Sequence, residues 1–248
     1  MPTPFMHLKV AEEMIRRPDL LPSLRHHLEN HWPAFCLGQI AADFQIICDI
    51  KRSKTHFYHV PPEKGDLAAF DRMLEQFPEL AQSDQLTADH AVFIAGYGAH
   101  LLYDLIWFHN IVMIFALGDW VERMARFTAH NALLAHEDGA AYPHLHPKVG
   151  EQILEVDAKG WLPFDEEDNL KAWQTLVGEQ LLPENDSQTI QIYAERMDMT
   201  TAELSANLQD QTWLDANIFD HVSRQLLDNV FEQAVTGGID LIANYLKI

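Results

Sequence analysis

Cysteine is scarce in this 248-residue chain, positive charge is heavily outnumbered, and no stretch is repetitive or of low complexity. The two cysteines, Cys36 and Cys48, sit in or beside apolar segments without metal-type spacing. That excludes a disulfide framework and a thiolate metal site, leaving reduced packing residues. Lysine and arginine total 17 against 37 acidic residues, a formal charge of −20. Such a balance argues against a general binder of phosphate backbones and against adsorption to anionic membranes, so no stable nucleic-acid binding is expected. Any anionic substrate must be met locally, and bound divalent cations would supply that charge. The opening residues lack the basic, apolar, small-residue order of a signal peptide, and the one long apolar run carries His100 and Asp104 at its middle. No transmembrane segment and a cytoplasmic location are therefore expected.

Present in quantity are apolar residues at 48%, aromatic residues at 10% and 14 histidines. The apolar share is ample for a real core. No segment alternates with the period of a strand, and helical periodicity recurs throughout, so the fold class is all-α. Thr3 followed by Pro4 reads as the start of a helix reaching about Arg17. Residues 34–44 read as a buried helix with Asp43 near its end, and 51–62, closing on a Pro-Pro pair, as a loop. Amphipathic or apolar helices are expected at 66–82, 91–117, 119–137, 149–157 and 166–182. Two more come after Pro183; the last runs from about Trp213 to Leu246, with Gly237-Gly238 as a break. Apolar faces continue on both sides of Pro147, so one domain spanning 1–248 is expected, with 1–147 as its metal-site core and 148–248 as additional packed helices.

The apolar run from Ala91 to Leu117 contains no Lys, Arg or Glu. His100 and Asp104 fall one helical turn apart within it, on one face. Burying both without partners costs several kcal/mol, so the pair is either a hydrogen-bonded core pair or part of a metal site. Adding His7, Asp43 and His56 gives three imidazoles and two carboxylates on four separate elements, the ligand set of a zinc pair bridged by one carboxylate. Other histidines read differently. His26, His27 and His31 lie in a Pro-bounded polar stretch and His144 and His146 in a loop, while His90 and His221 read as solvated helix residues.

Four blocks, residues 2–8 (PTPFMHL), 38–44 (GQIAADF), 52–58 (RSKTHFY) and 95–104 (AGYGAHLLYD), resemble in content and order the bacterial zinc-dependent phospholipase C family. The resemblance covers about the first 140 residues. It implies the all-helical fold shared with zinc-dependent single-strand nucleases, and a phosphoesterase that uses metal-activated water on a phosphate-ester or phospholipid-derived substrate. It also implies Zn2+ held by His7, Asp43, His56, His100 and Asp104, with Asp104 bridging two ions and Asp43 doubling as orienter or base. The secreted enzymes of that family contribute an N-terminal Trp to the metals, whereas this chain begins Met1-Pro2. Their third site needs a further His and then a His and Glu four residues apart on one helix, which is missing here. His109, His130, His136, Glu137 and Asp138 are the available substitutes, although His109 falls about 180° around a regular helix from His100. Lys51, Arg52 and Lys54 form the densest basic cluster, and Arg52, with its planar fork, is the candidate phosphate clamp. Two alternatives stand beside this reading: a non-catalytic helical metal-binding protein that retains a hydrolase core, and a nuclease or phosphatase on the same scaffold.

Overall fold

The computed structural model describes residues 1–61, 68–118, 123–165 and 167–248, the side chains of 123 and 124 excepted. Among them there are helices and turns but no strand, as the missing period-2 pattern predicts. The first helix, α1 (Pro4–Arg16), begins where the sequence signals it. Thr3 is the N-cap, its hydroxyl accepting from the Met6 amide, and Pro4 occupies the first turn, where a missing N–H costs nothing. After α2 (Pro22–Asn30), α3 (Trp32–Ala41) is buried over nearly its whole length. The chain then tightens into a 3-10 turn, Ala42–Ile47, which carries Asp43.

The centre of the molecule is α6 (Ala88–Trp107), capped by the Thr87 hydroxyl on the His90 amide. The helical run Ala88–Leu117, of which α6 is the first part, is long and apolar enough to cross a membrane by length and composition alone. Here α6 is a core helix, with α3 on one side and α14 (Arg224–Leu246) on another. Two glycines set how close α3 and α6 come. A Cβ on Gly38 would lie 2.1 Å from the Phe93 carbonyl oxygen, and one on Gly96 would lie 2.6 Å from the Phe35 oxygen. Both distances are far inside van der Waals contact, so only a hydrogen fits, and the two backbones touch. This contact brings the end of α3 level with the middle of α6.

Several boundaries differ from the sequence expectation. The loop over 51–62 contains a short helix, α4 (Arg52–His56), ended by Phe57 in the left-handed region at φ 57°. The helix expected over 66–82 is α5 (Ala69–Gln76), followed by a 3-10 turn from Pro78; residues 66 and 67 lie outside the described set. The run to Leu117 is not one regular helix: α6 passes through a π turn (Phe108–Val112) into α7 (Met113–Leu117). The next helix is α8 (Arg123–Ala141), residues 119–122 lying outside the described set. Downstream come α9 (Val149–Leu154), α10 (Asn169–Gln180), α11 (Thr189–Arg196), α12 (Thr201–Gln209) and α13 (Gln211–Leu214). The expected helix from Trp213 to Leu246 is two, separated by a π turn at Asp215–Phe219. Gly237-Gly238 is no break, because α14 runs through both. Their missing side chains serve packing instead, Gly238 against Met14 and Gly237 against Leu102.

Residues after Pro147 pack directly on those before it. The Trp173 indole N–H on α10 donates to the Ile40 carbonyl at 2.7 Å. Asp138 on α8 accepts from the hydroxyls of Thr3 and Thr189, which clasps the start of α1 to the start of α11. One continuous cluster of buried apolar side chains includes members from both halves.

Candidate metal centre

His7, Asp43, His56, His100 and Asp104 come from α1, the 3-10 turn, α4 and α6, and they converge at the core. The three imidazoles are 0% exposed, Asp104 1% and Asp43 4%. His100 Nδ1 is 2.8 Å from the Gln39 carbonyl oxygen. A carbonyl only accepts, so Nδ1 carries the proton and neutral His100 presents a lone pair at Nε2. His56 is oriented in the same way. Its Nδ1 lies 2.8 Å from the Thr55 hydroxyl, and that hydroxyl gives its own proton to the Arg52 carbonyl at 3.2 Å. The Thr55 oxygen is then the acceptor, and His56 also offers a bare Nε2.

These two nitrogens face each other at 3.4 Å. His56 Nε2 is also 3.3 Å from Asp43 Oδ1 and 3.4 Å from Asp104 Oδ2, while His100 Nε2 is 3.8 Å from Asp104 Oδ2. His7 stacks on His100 with centroids 3.9 Å apart and 10° between planes, and its Nε2 is 3.6 Å from Asp104 Oδ1. Neither ring nitrogen of His7 has a hydrogen-bond partner, nor has Asp104 Oδ1. Lone pairs brought this close with no proton between them repel, and buried polar atoms without partners are costly. A divalent cation relieves both, and neutral imidazole with carboxylate oxygen is a donor set suited to zinc. Two three-residue groups have ligand atoms close enough to share an ion: His7, His100 and Asp104, and Asp43, His56 and His100.

The titration behaviour of the bare cluster comes from this crowding. Burial, with the Arg52 charge adding to it, lowers the His56 pKa to about 4. Burial and the neighbouring His100 lower that of His7 to about 4. Burial pushes the Asp43 and Asp104 carboxyls up, yet the imidazoles and Arg52 around them outweigh it and hold both well below the ordinary carboxylate range.

Arg52 is not free on a loop. Its guanidinium binds Asp104 Oδ2, donates to the Tyr58 hydroxyl at 2.9 Å and reaches Asp43 Oδ1 at 3.5 Å. The Tyr58 hydroxyl in turn donates to Asp104 Oδ2 at 2.9 Å. In the sequence Tyr58 stands out only as the last residue of the block 52–58. The one signal for its role is its position six residues after an arginine that must face inward if His56 does.

The third-site substitutes do not assemble among the described residues. His109 is exposed on the π turn, and His136 pairs with its neighbour Glu137 at 3.2 Å. His130 packs its ring against Phe115, and burial together with the positive Met1 amine lowers its pKa to about 3. Asp138 belongs to the threonine clasp, where burial raises its pKa to about 6. His90, expected to be solvated, stacks on Trp161 at 5.2 Å and is half-buried. His31 is only part-exposed and pairs with Asp89 at 2.6 Å. The Met1 amine is buried on the cluster's side of the molecule. Burial lowers its pKa to about 6 against the opposing charge of Asp104.

A cavity of about 480 Å³ opens beside the cluster, with Asp43 and Arg52 on its wall. The rest of the wall comes from the start of α1, from Gln45 and Ile46 of the 3-10 turn, from α8 and, beyond Pro147, from α10 and α11.

No curated protein and no solved structure matches the chain. A protein family does: zinc dependent phospholipase C, over residues 6–142, a span that takes in all five convergent side chains and more than half of the chain. With the all-helical fold and the buried His/Asp cluster already on the same elements, the chain belongs to the zinc dependent phospholipase C family.

Proposed function

We propose that this protein hydrolyses a phosphodiester with two zinc ions, one held by Asp43, His56 and His100, the other by His7, with Asp104 serving both. The observation that carries the proposal is the convergence of bare Nε2 lone pairs and carboxylate oxygens, with the His7 ring nitrogens and Asp104 Oδ1 lacking a hydrogen-bond partner. Bound there, such ions would supply positive charge for phosphate oxygens and would acidify water toward neutral pH. The chain's own residues have three tasks. Gln39 and Thr55 fix the tautomers of His100 and His56, so both rings present Nε2. Tyr58 and Arg52 hold Asp104 from its Oδ2 side, leaving Oδ1 toward His7. Asp43, at the cavity wall and ionised at neutral pH, is positioned to orient water or to take up its proton.

One observation favours a second reading. Arg52 already places a cation on Asp43 and Asp104, as it would in a metal-binding protein that has given up hydrolysis. Assay of the zinc-loaded protein on a soluble aryl phosphodiester, with and without chelator, decides between them. The proposal expects chelator-sensitive turnover; stoichiometric metal with no turnover on any phosphodiester supports the second reading. A nuclease on this scaffold would need a basic groove, which the formal charge of −20 opposes.

A further inference from the structure

The N-terminal half supplies every imidazole and carboxylate of the cluster, but the C-terminal half builds much of the cavity that opens on it. Trp173 and Val177 of α10 and Tyr193, Ile192 and Arg196 of α11 all line it. All five lie beyond the residues matched by the family. The wall is mostly apolar, and Ile46 and Ile192 stand 51% and 38% exposed at its edge. Among the polar residues of this C-terminal part of the wall, Gln180, Thr189 and Arg196, only Arg196 is charged.

Spacing alone points to Arg52 as the phosphate clamp. Arg52, however, is engaged by Asp104, Asp43 and Tyr58. Arg196 lines the same cavity, and its guanidinium packs on the Tyr193 ring at 5.1 Å. Among the described residues it makes no ion pair, in a chain with 37 carboxylates to choose from. A cation in the last turn of a helix is favoured by the exposed carbonyls there. That accounts for the sign of the charge but not for its placement on the cavity wall.

We propose that Arg196 receives the phosphate group of the substrate and that the α10–α11 wall holds an apolar substituent, so the ligand is a phosphoester bearing an aromatic or short aliphatic group. A planar donor fork on an aromatic ring is a pre-set receptor for phosphate oxygens. A cavity of about 480 Å³ falls within the range that encloses small organic ligands. The inference rests on the hydrolase reading above and extends it to a part of the chain that the family match does not reach.

Calorimetric titration of the zinc-loaded full chain with inorganic phosphate and with phenylphosphonate tests it, comparing wild type, Arg196→Gln and Ile192→Ser. Both substituted side chains are exposed, so both variants should fold. Expected are tighter binding of phenylphosphonate than of phosphate by wild type, and a loss of about tenfold for both ligands in Arg196→Gln with metal content unchanged. Ile192→Ser should weaken phenylphosphonate more than phosphate. Wild-type phosphate affinity in Arg196→Gln overturns the inference, as does a wild-type protein that binds neither ligand. Absence of phosphodiester turnover while these affinity differences persist strikes the hydrolase reading alone and upholds the binding site.

Discussion

Asp104 reaches His7 with one oxygen and His56 and His100 with the other. Under the two-ion proposal a carboxylate so placed serves both ions, whereas Asp43 serves one. Asp104→Asn is therefore expected to strip most bound metal, and Asp43→Asn to leave about half, as read by elemental analysis after zinc reconstitution and gel filtration; equal occupancy in the two variants would count against bridging. The bare cluster also sets a pH response. His7 and His56, at about 4 when folded against 6.5 when unfolded, stay neutral where the unfolded chain takes up protons. Between those values the unfolded state binds more protons, and stability falls as pH drops. Asp138, raised to about 6, works in the opposite direction and offsets part of the loss. The net expectation is a fall in Tm of roughly 5–10 °C for metal-free protein between pH 7 and pH 4.5, followed by calorimetry. A Tm that rises on acidification over that interval would contradict the neutral state of these rings.

The α3–α6 contact is where local sequence and the site meet. Gly38→Ala drives a Cβ into the Phe93 carbonyl, a backbone atom that cannot swing away, and a cost of at least about 3 kcal/mol is expected. Metal affinity should fall with it, because the same contact holds Gln39 against His100. Gly237→Ala meets only the end of the Leu102 side chain, and the helix propensity gained should keep it within about 1 kcal/mol of wild type. Chemical denaturation of the two variants separates these cases. Elements of this kind are unevenly legible. Thr3-Pro4 announces α1 because a cap and a first-turn proline are local signals, and His100 with Asp104 stands out because charge is expensive in an apolar run. Gly237-Gly238 misleads because a glycine read alone suggests a break, whereas Met14 and Leu102, which need the space, are distant in sequence. The five residues of α4 are too few for a period to show, so the sequence alone presents Arg52 as part of a loop. Arg196 is invisible for a further reason: its meaning comes from the cavity across from it, and its own segment says only helix.

At the scale of the molecule, residues from both sides of Pro147 share one apolar cluster, and Trp173 and the Asp138 clasp tie the two parts by hydrogen bonds. We take the chain as one domain, and a single unfolding transition with coincident fluorescence and circular-dichroism midpoints is the expected result. Two separate transitions, one for 1–147 and one for 148–248, would divide it. The cluster of imidazoles and carboxylates is itself almost wholly enclosed by that core. The ligand set joins four separate elements, so loss of metal from it is felt far from the site. Ligands that bind only the folded state stabilise it in proportion to their supply, and cleavage by a protease tracks the population of the opened state when opening is fast. The lifetime of this protein in the presence of a protease should then lengthen with free zinc and collapse on chelation, making its turnover a gauge of metal supply.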